Sequence, residues 1–170
     1  MDLFDAINAR RSVRKYVNEP VDRSLLERIV QAGAEAPSGC NMQLRQFVIV
    51  DDPAMMEQIR PMNRAFVDAP AAIVLLIEPK AAPFGEYWVQ DASAAMQSML
   101  LAAVGLGLAG CWVEGGKDKW QEPIRQLLGV PMNLRPWAMT PIGKPAESPA
   151  RPSAKLPATQ ITHYNRFGAK

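Results

Sequence analysis

Between Asp91 and Leu108 nearly every residue is small or apolar, and no other stretch constrains the fold so strongly. A run of this length either crosses a membrane or forms the middle of a core. Asp91, Ser93, Gln97 and Ser98 interrupt it and Gly105, Gly107 and Gly110 follow at once, so it reads as a buried central helix, with Met96 and Met99 as ordinary core filling. A helix buried on all sides needs partners on all sides. With 170 residues and 48% apolar composition the chain can supply them within one domain.

Those partners are legible on either side of the run. Leu3, Phe4, Ala6 and Ile7 fall at helical spacing over residues 2–10, and Asp22 caps a second helix whose face of Leu25, Leu26, Ile29 and Val30 ends at Pro37. Residues 46–50, 72–77, 109–113 and 137–142 read as strands, and residues 55–59 and 120–128 as short helices. Helices and strands mixed without strict alternation predict an α+β core over residues 1–142. Beyond it Pro145, Pro149, Pro152 and Pro157 punctuate an arm, residues 143–170, with little to bury. Extended, residues 143–155 reach about 40 Å, the diameter of a domain this size. Composition leaves two readings open. The arm crosses a second subunit and buries Ile161, Tyr164 and Phe167 there, or it is a tail without fixed structure.

Charge and reactive residues remove several functions. The net charge is +2 and the basic residues are dispersed, so no nucleic-acid partner is expected. The acidic start, Met1-Asp2-Leu3-Phe4-Asp5, lacks a secretory pattern, and Cys40 and Cys111 form no CxxC; the expectation is a cytoplasmic protein with two free thiols, no membrane association, and a packing role for Cys40. His163 is the only histidine, which leaves no zinc cluster and no GxSxG-type triad to build.

Arg10-Arg11-Ser12-Val13-Arg14 sets three guanidiniums and a hydroxyl within five residues. The planar guanidinium fork matches phosphate oxygens, although neighbouring arginines also form solvated faces. Gly105-Leu106-Gly107-Leu108-Ala109-Gly110 fits GxGxxG by letter, but a helix precedes it and a strand follows, the reverse of a dinucleotide fingerprint, and Val130 stands where an acidic ribose ligand belongs. Those glycines therefore read as a helix stop and tight turn. Gly115-Gly116-Lys117 evokes a phosphate loop, yet Asp118 replaces the hydroxyl residue it requires.

Four segments taken in order resemble those of the nitroreductase superfamily, and the chain looks like a short member of it. They are residues 10–16; Ala36-Pro37-Ser38-Gly39-Cys40-Asn41-Met42-Gln43; Gly105-Leu106-Gly107 running into Trp112-Val113-Glu114-Gly115; and Pro141-Ile142-Gly143-Lys144-Pro145 with His163-Tyr164-Asn165-Arg166-Phe167. The resemblance implies a central, mainly antiparallel sheet flanked by helices, the arm exchanged between two subunits, and a homodimer with FMN at the interface. It implies that Arg10 and Ser12, with Arg11 beside them, hold the flavin phosphate and that Arg14 reaches the ribityl chain or pyrimidine edge. Lys155, or less directly Arg166, adds a basic ligand from the arm. Pro37, Ser38, Gly39 and Asn41 line the ring from the neighbouring subunit with Gln43 close by, and Glu114 and Gly115 aim backbone N–H groups at flavin N5.

On that reading no side chain is a catalytic acid or base. Hydride passes from NAD(P)H through N5 to a small electron-poor acceptor such as a nitroaromatic or quinone. Alternatives are an FMN storage or sensor module without turnover, and specialised flavin chemistry such as reductive dehalogenation or flavin breakdown. The chain departs from the family pattern at Leu44 and Arg45, which replace a proline and an aromatic, at Ala65, where many members carry lysine, and between Ile77 and Tyr87, where a covering excursion is shortened.

Overall fold

Seven consecutive buried apolar residues decide the layering of the molecule: they form β2 (Ala71–Ile77), the strand covered on both faces. A computed structural model describes residues 1–81, 85, 87–114, 119–147 and 154–169. In it β2 lies between β1 (Arg45–Val50) and β5 (Arg135–Gly143), antiparallel to both. Because side chains alternate along a strand, Ala72, Val74 and Leu76 enter one core while Ala71, Ile73, Leu75 and Ile77 enter another. The first core also takes Met56 and Ile59 of α3 (Pro53–Ile59) and Ile124 of α5 (Gln121–Leu128). The second takes Leu26 and Ile29 of α2 (Arg23–Ala34) and the central helix α4 (Tyr87–Gly105). The result is the α+β architecture implied by the sequence, an antiparallel sheet between helical layers.

The central helix starts one turn earlier than its apolar run and stops at Gly105. Its end is a paired cap: Leu108 N–H donates to Ala103 O at 2.8 Å and Gly107 N–H to Val104 O at 3.0 Å, with Gly107 at φ 76°. A left-handed residue at this position favours glycine, which accounts for the GxGxxG letters.

The strand expected at 109–113 is in fact two dipeptides, β3 (Ala109–Gly110) and β4 (Val113–Glu114), both antiparallel to β5. They share one register, Gly110 opposite Ile142 and Val113 opposite Met139, so the gap at Cys111 and Trp112 faces Pro141 and Thr140. Proline has no N–H to complete the ladder there.

The arm also departs from a uniformly extended reading. Residues 144–146 remain paired to the core through Val17 N–H to Lys144 O and Ala146 N–H to Lys15 O, and Pro157 opens a helical turn, α6 (Ala158–Ile161). The tip then curls, with Tyr164 N–H donating to Ala169 O and the His163 ring 4.4 Å from Phe167. Leu156, Ile161, Tyr164 and Phe167 are exposed on the protomer, as are Leu3, Phe4 and Ile7 of α1 (Leu3–Ala9). Among the described residues no helix is long and apolar enough to cross a membrane, and no cluster of His, Cys, Asp or Glu is placed to hold a metal.

Candidate functional site

The basic segment begins where α1 ends, with Arg10 N–H closing the last turn on Ala6 O. The chain then runs extended beside β3, where Ser12 bridges Gly110 and Val13 N–H donates to Gly110 O at 3.0 Å. Only glycine fits at that edge. A Cβ on Gly110 would lie 2.6 Å from Thr140 Oγ1 and 3.0 Å from both Leu100 Cδ2 and Pro141 O.

The three arginines do not behave alike. Arg11 turns its guanidinium back onto the end of α1, donating to Asn8 O at 2.6 Å and Arg10 O at 2.7 Å, so it satisfies carbonyls the helix leaves open. Arg14 makes one long bond to Ser12 O at 3.4 Å, and neither Arg10 nor Arg14 forms an ion pair among the described residues. Both act on the buried Cys111 thiol. Burial pushes that thiol above its ordinary range, while Arg14, a hydrogen bond with Ser12, and Arg10 pull it back in that order. The Tyr16 hydroxyl, hydrogen-bonded to Val13 O, is raised by burial and by Cys111, with Arg14 again opposing. Arg10, Ser12 and Arg14 thus all act on one buried thiol beside the sheet edge. Two guanidiniums and an exposed hydroxyl without a neutralising carboxylate fit a phosphate group.

The loop after α2 is a second exposed array. Its 3₁₀ turn (Gly39–Asn41) leads through Cys40, Asn41 and Gln43 at φ 49°, 55° and 53°, left-handed values uncommon outside glycine. Ser38 Oγ accepts from Gln43 N–H at 3.1 Å and Gln43 Nε2 donates to Asn41 O at 3.2 Å. Pro37, Gly39, Asn41 and Gln43 are exposed and Ser38 is half-buried. Cys40 is exposed too, so within the protomer it does not have the packing role expected of it.

Two residues that sequence reasoning did not assign to the site anchor this loop. Asp91 accepts from Gly39 N–H at 2.9 Å, and Arg45 donates to the carbonyls of Ala34 at 2.9 Å, Pro37 at 3.1 Å, and Ala36. The signal available was a charge at the head of an apolar strand and another inside an apolar helix, each too isolated to be solvated.

Within one protomer the two arrays lie apart. The loop enters the sheet at Arg45, in the row of Ile77 and Arg135, whereas the basic segment meets it at Gly110, in the row of Ile142 and Ala71. Those rows are separated along β5 by about 23 Å at ~3.3 Å per residue. Glu114 sits on the same edge as Gly110, opposite Ala138 and about 13 Å further along. Gly115, with Gly116 and Lys117, lies outside the described residues. Lys155 and Arg166 are exposed on the arm, and neither is hydrogen-bonded or ion-paired to residues 10–14. Ala65 is buried in the core and its neighbour Arg64 is exposed, so no cation replaces the family's lysine at that position itself.

The nitroreductase family model matches residues 7–72 and 60–144, covering the basic segment, the loop, the sheet and its edge. The chain belongs to the nitroreductase family. A relative from Methanothermobacter thermautotrophicus, provisionally named an NADH dehydrogenase/NAD(P)H nitroreductase, is 36% identical over 154 residues, 88% of this chain and 80% of its own. A Bacteroides thetaiotaomicron structure with the same provisional name has a TM-score of 0.85 at 30% identity, covering 97% of this chain and 98% of that one. The NADPH:FMN oxidoreductase of Vibrio harveyi, solved in complex with NAD+, superposes with a TM-score of 0.81 at 27% identity over 97% of this chain and 77% of the other. This nitroreductase-family chain thus has the fold that its four sequence segments implied.

Proposed function

We propose that the chain is an FMN-dependent NAD(P)H oxidoreductase that acts as a cytoplasmic homodimer on small electron-poor acceptors. The observation that carries this reading is the placement of residues 10–14 along the sheet edge that leads to Glu114, where Arg10, Ser12 and Arg14 all act on the Cys111 thiol and neither Arg10 nor Arg14 is ion-paired among the described residues. Relatives named for NADPH, FMN and NAD+ support the same chemistry.

Arg10 and Ser12 would hold the phosphate, and Arg14 would reach the ribityl chain or pyrimidine edge, placing positive charge where the reduced ring accumulates negative charge. Arg11 would serve indirectly, by fixing the end of α1. Backbone N–H groups of Glu114 and Gly115 would face N5. The separation of the loop from the basic segment favours a site shared between two copies, in which Pro37, Ser38, Gly39 and Asn41, with Gln43 beside them, line the ring bound by the other chain. The arm, expected over residues 143–170, would cross to that copy beyond its core-paired residues 144–146, cover its exposed apolar residues and bring Lys155 or Arg166 to the phosphate. When bound, FMN supplies hydride acceptance from NAD(P)H and hydride delivery to the acceptor. The exposed loop leaves room for a flat molecule such as a nitroaromatic or quinone, and no side-chain acid or base is needed.

The test is the visible spectrum of FMN-loaded protein under anaerobic conditions. Addition of NADH or NADPH should bleach the flavin band, and a quinone or nitroaromatic should restore it. A loaded protein whose band survives both nucleotides would be a flavin carrier and not a reductase.

A further inference from the structure

We infer that Arg45 and Asp91 are positioning residues that fix the shape in which the loop 37–43 receives the flavin ring, an inference that rests on the function proposed above. Both residues are more than nine-tenths buried, and neither spends its charge on the core. Arg45 gives its guanidinium to three backbone carbonyls, Ala34, Ala36 and Pro37, and Asp91 takes the backbone N–H of Gly39. A cation on the carbonyls and an anion on the amide therefore grip one short stretch, residues 34–39, from two elements, the head of β1 and the second turn of α4.

Immediately downstream the backbone is left-handed at Cys40, Asn41 and Gln43. Such residues persist where surrounding contacts over-determine them, and the hydrogen bonds inside the loop run only between Ser38 and Gln43, so they do not themselves orient that unit on the sheet. Arg45 and Asp91 supply that orientation. Burial lowers the Arg45 pKa and the nearby Asp91 carboxylate opposes the shift, so the anion favours the charged guanidinium. Two buried charges are a poor means of stabilising a core, where apolar side chains serve as well or better. Their hydrogen bonds end instead on the backbone of the exposed loop, which is what a rigid ring-binding surface requires.

The experiment compares the full-length protein with Arg45→Met, Arg45→Lys and Asp91→Asn, and uses Arg10→Ala as a phosphate-side control. Amide hydrogen exchange at residues 39–43 in the FMN-free protein reports the loop itself. FMN titration and the visible circular dichroism of the bound flavin report the ring's surroundings. Arg45→Met is expected to speed exchange in the loop at least tenfold, raise the FMN dissociation constant about tenfold and alter the flavin dichroism. Arg45→Lys, which keeps the charge but not the fork, should fall between and guards against a Met variant that fails to fold. Asp91→Asn retains an acceptor for Gly39 and should change the loop less than Arg45→Met, while Arg10→Ala should weaken FMN binding with loop exchange unchanged.

Unchanged exchange in folded Arg45→Met and Arg45→Lys overturns the inference. So does faster exchange with unaltered affinity and dichroism, because the loop would then be held for something other than the ring. A parent protein that binds no FMN overturns the proposed function itself, a result distinct from a parent that binds FMN and an Arg45→Met that binds it equally well.

Discussion

Val13 N–H donates to Gly110 O across 3.0 Å, and this bond seats the basic segment on the sheet edge. It can form because Gly110 has no side chain to hold the strand away from Thr140, Leu100 and Pro141. Gly110→Ala should cost about 1–3 kcal/mol in urea denaturation, as overpacking against backbone and a fully buried threonine does. It should also weaken FMN binding by shifting Ser12 and Arg14. A variant as stable as the parent would mean that the edge relaxes at no cost.

The unequal behaviour of the arginines is testable by single substitutions. Arg10→Ala should lower FMN affinity at least tenfold, since a charge-assisted contact is lost. Arg11→Ala should leave affinity within about twofold and act on stability, by up to about 1 kcal/mol, because its guanidinium closes the end of α1. Fluorescence titration of FMN with each purified variant separates the two. Equal losses would show that the three guanidiniums act as one undifferentiated patch.

Local signals account for what was legible in the chain. Asp22 caps α2 through Ser24 N–H, Gly107 ends α4 in a left-handed turn, and the apolar run of β2 is buried at every position, each as its residue type dictates. The break between β3 and β4 was not legible because it is set by Pro141, a residue 30 positions away that becomes a neighbour only through register. Arg45 and Asp91 were missed for the same reason. A charge in an apolar setting signals a partner but does not name it, and their partners here are backbone atoms, whose positions no side-chain motif reveals. The four family segments were readable as motifs, whereas the division of labour between Arg11 and Arg14 depends on which way each side chain turns at the end of α1.

Because residues 144–146 are paired with the core, the separable part of the arm starts after Glu147. Truncation there removes Leu156, Ile161, Tyr164 and Phe167, all exposed on the protomer, the last at 91%. The truncated chain should keep its folded stability within about 1 kcal/mol, since few intrachain contacts are lost. It should elute as a monomer and bind FMN at least tenfold more weakly, losing Lys155 and Arg166 together. Light scattering and flavin content at equal protein concentration measure both. A truncated chain that remains dimeric and fully loaded would leave the arm no part in the site.

The buried thiol beneath the arginines gives the protein a pH dependence of determined sign. Burial raises the folded-state pKa of Cys111 above its unfolded value, so the folded chain keeps this proton where the unfolded chain releases it. Below about pH 8.5 the thiol is protonated in both states and contributes no slope. As pH rises through that value the unfolded state binds fewer protons than the folded one, and stability falls by at most about 1.4 kcal/mol per pH unit until the folded-state pKa is reached. Tyr16, raised by burial in the same pocket, adds a second fall above about pH 10. Urea midpoints measured from pH 7 to 11 should therefore decline in two stages. Cys111→Ala should flatten the first stage and Tyr16→Phe the second. If Cys111→Ala keeps the parent's slope between about pH 8.5 and 10, the thiol ionises as readily folded as unfolded, and Arg14, Ser12 and Arg10 together offset its burial.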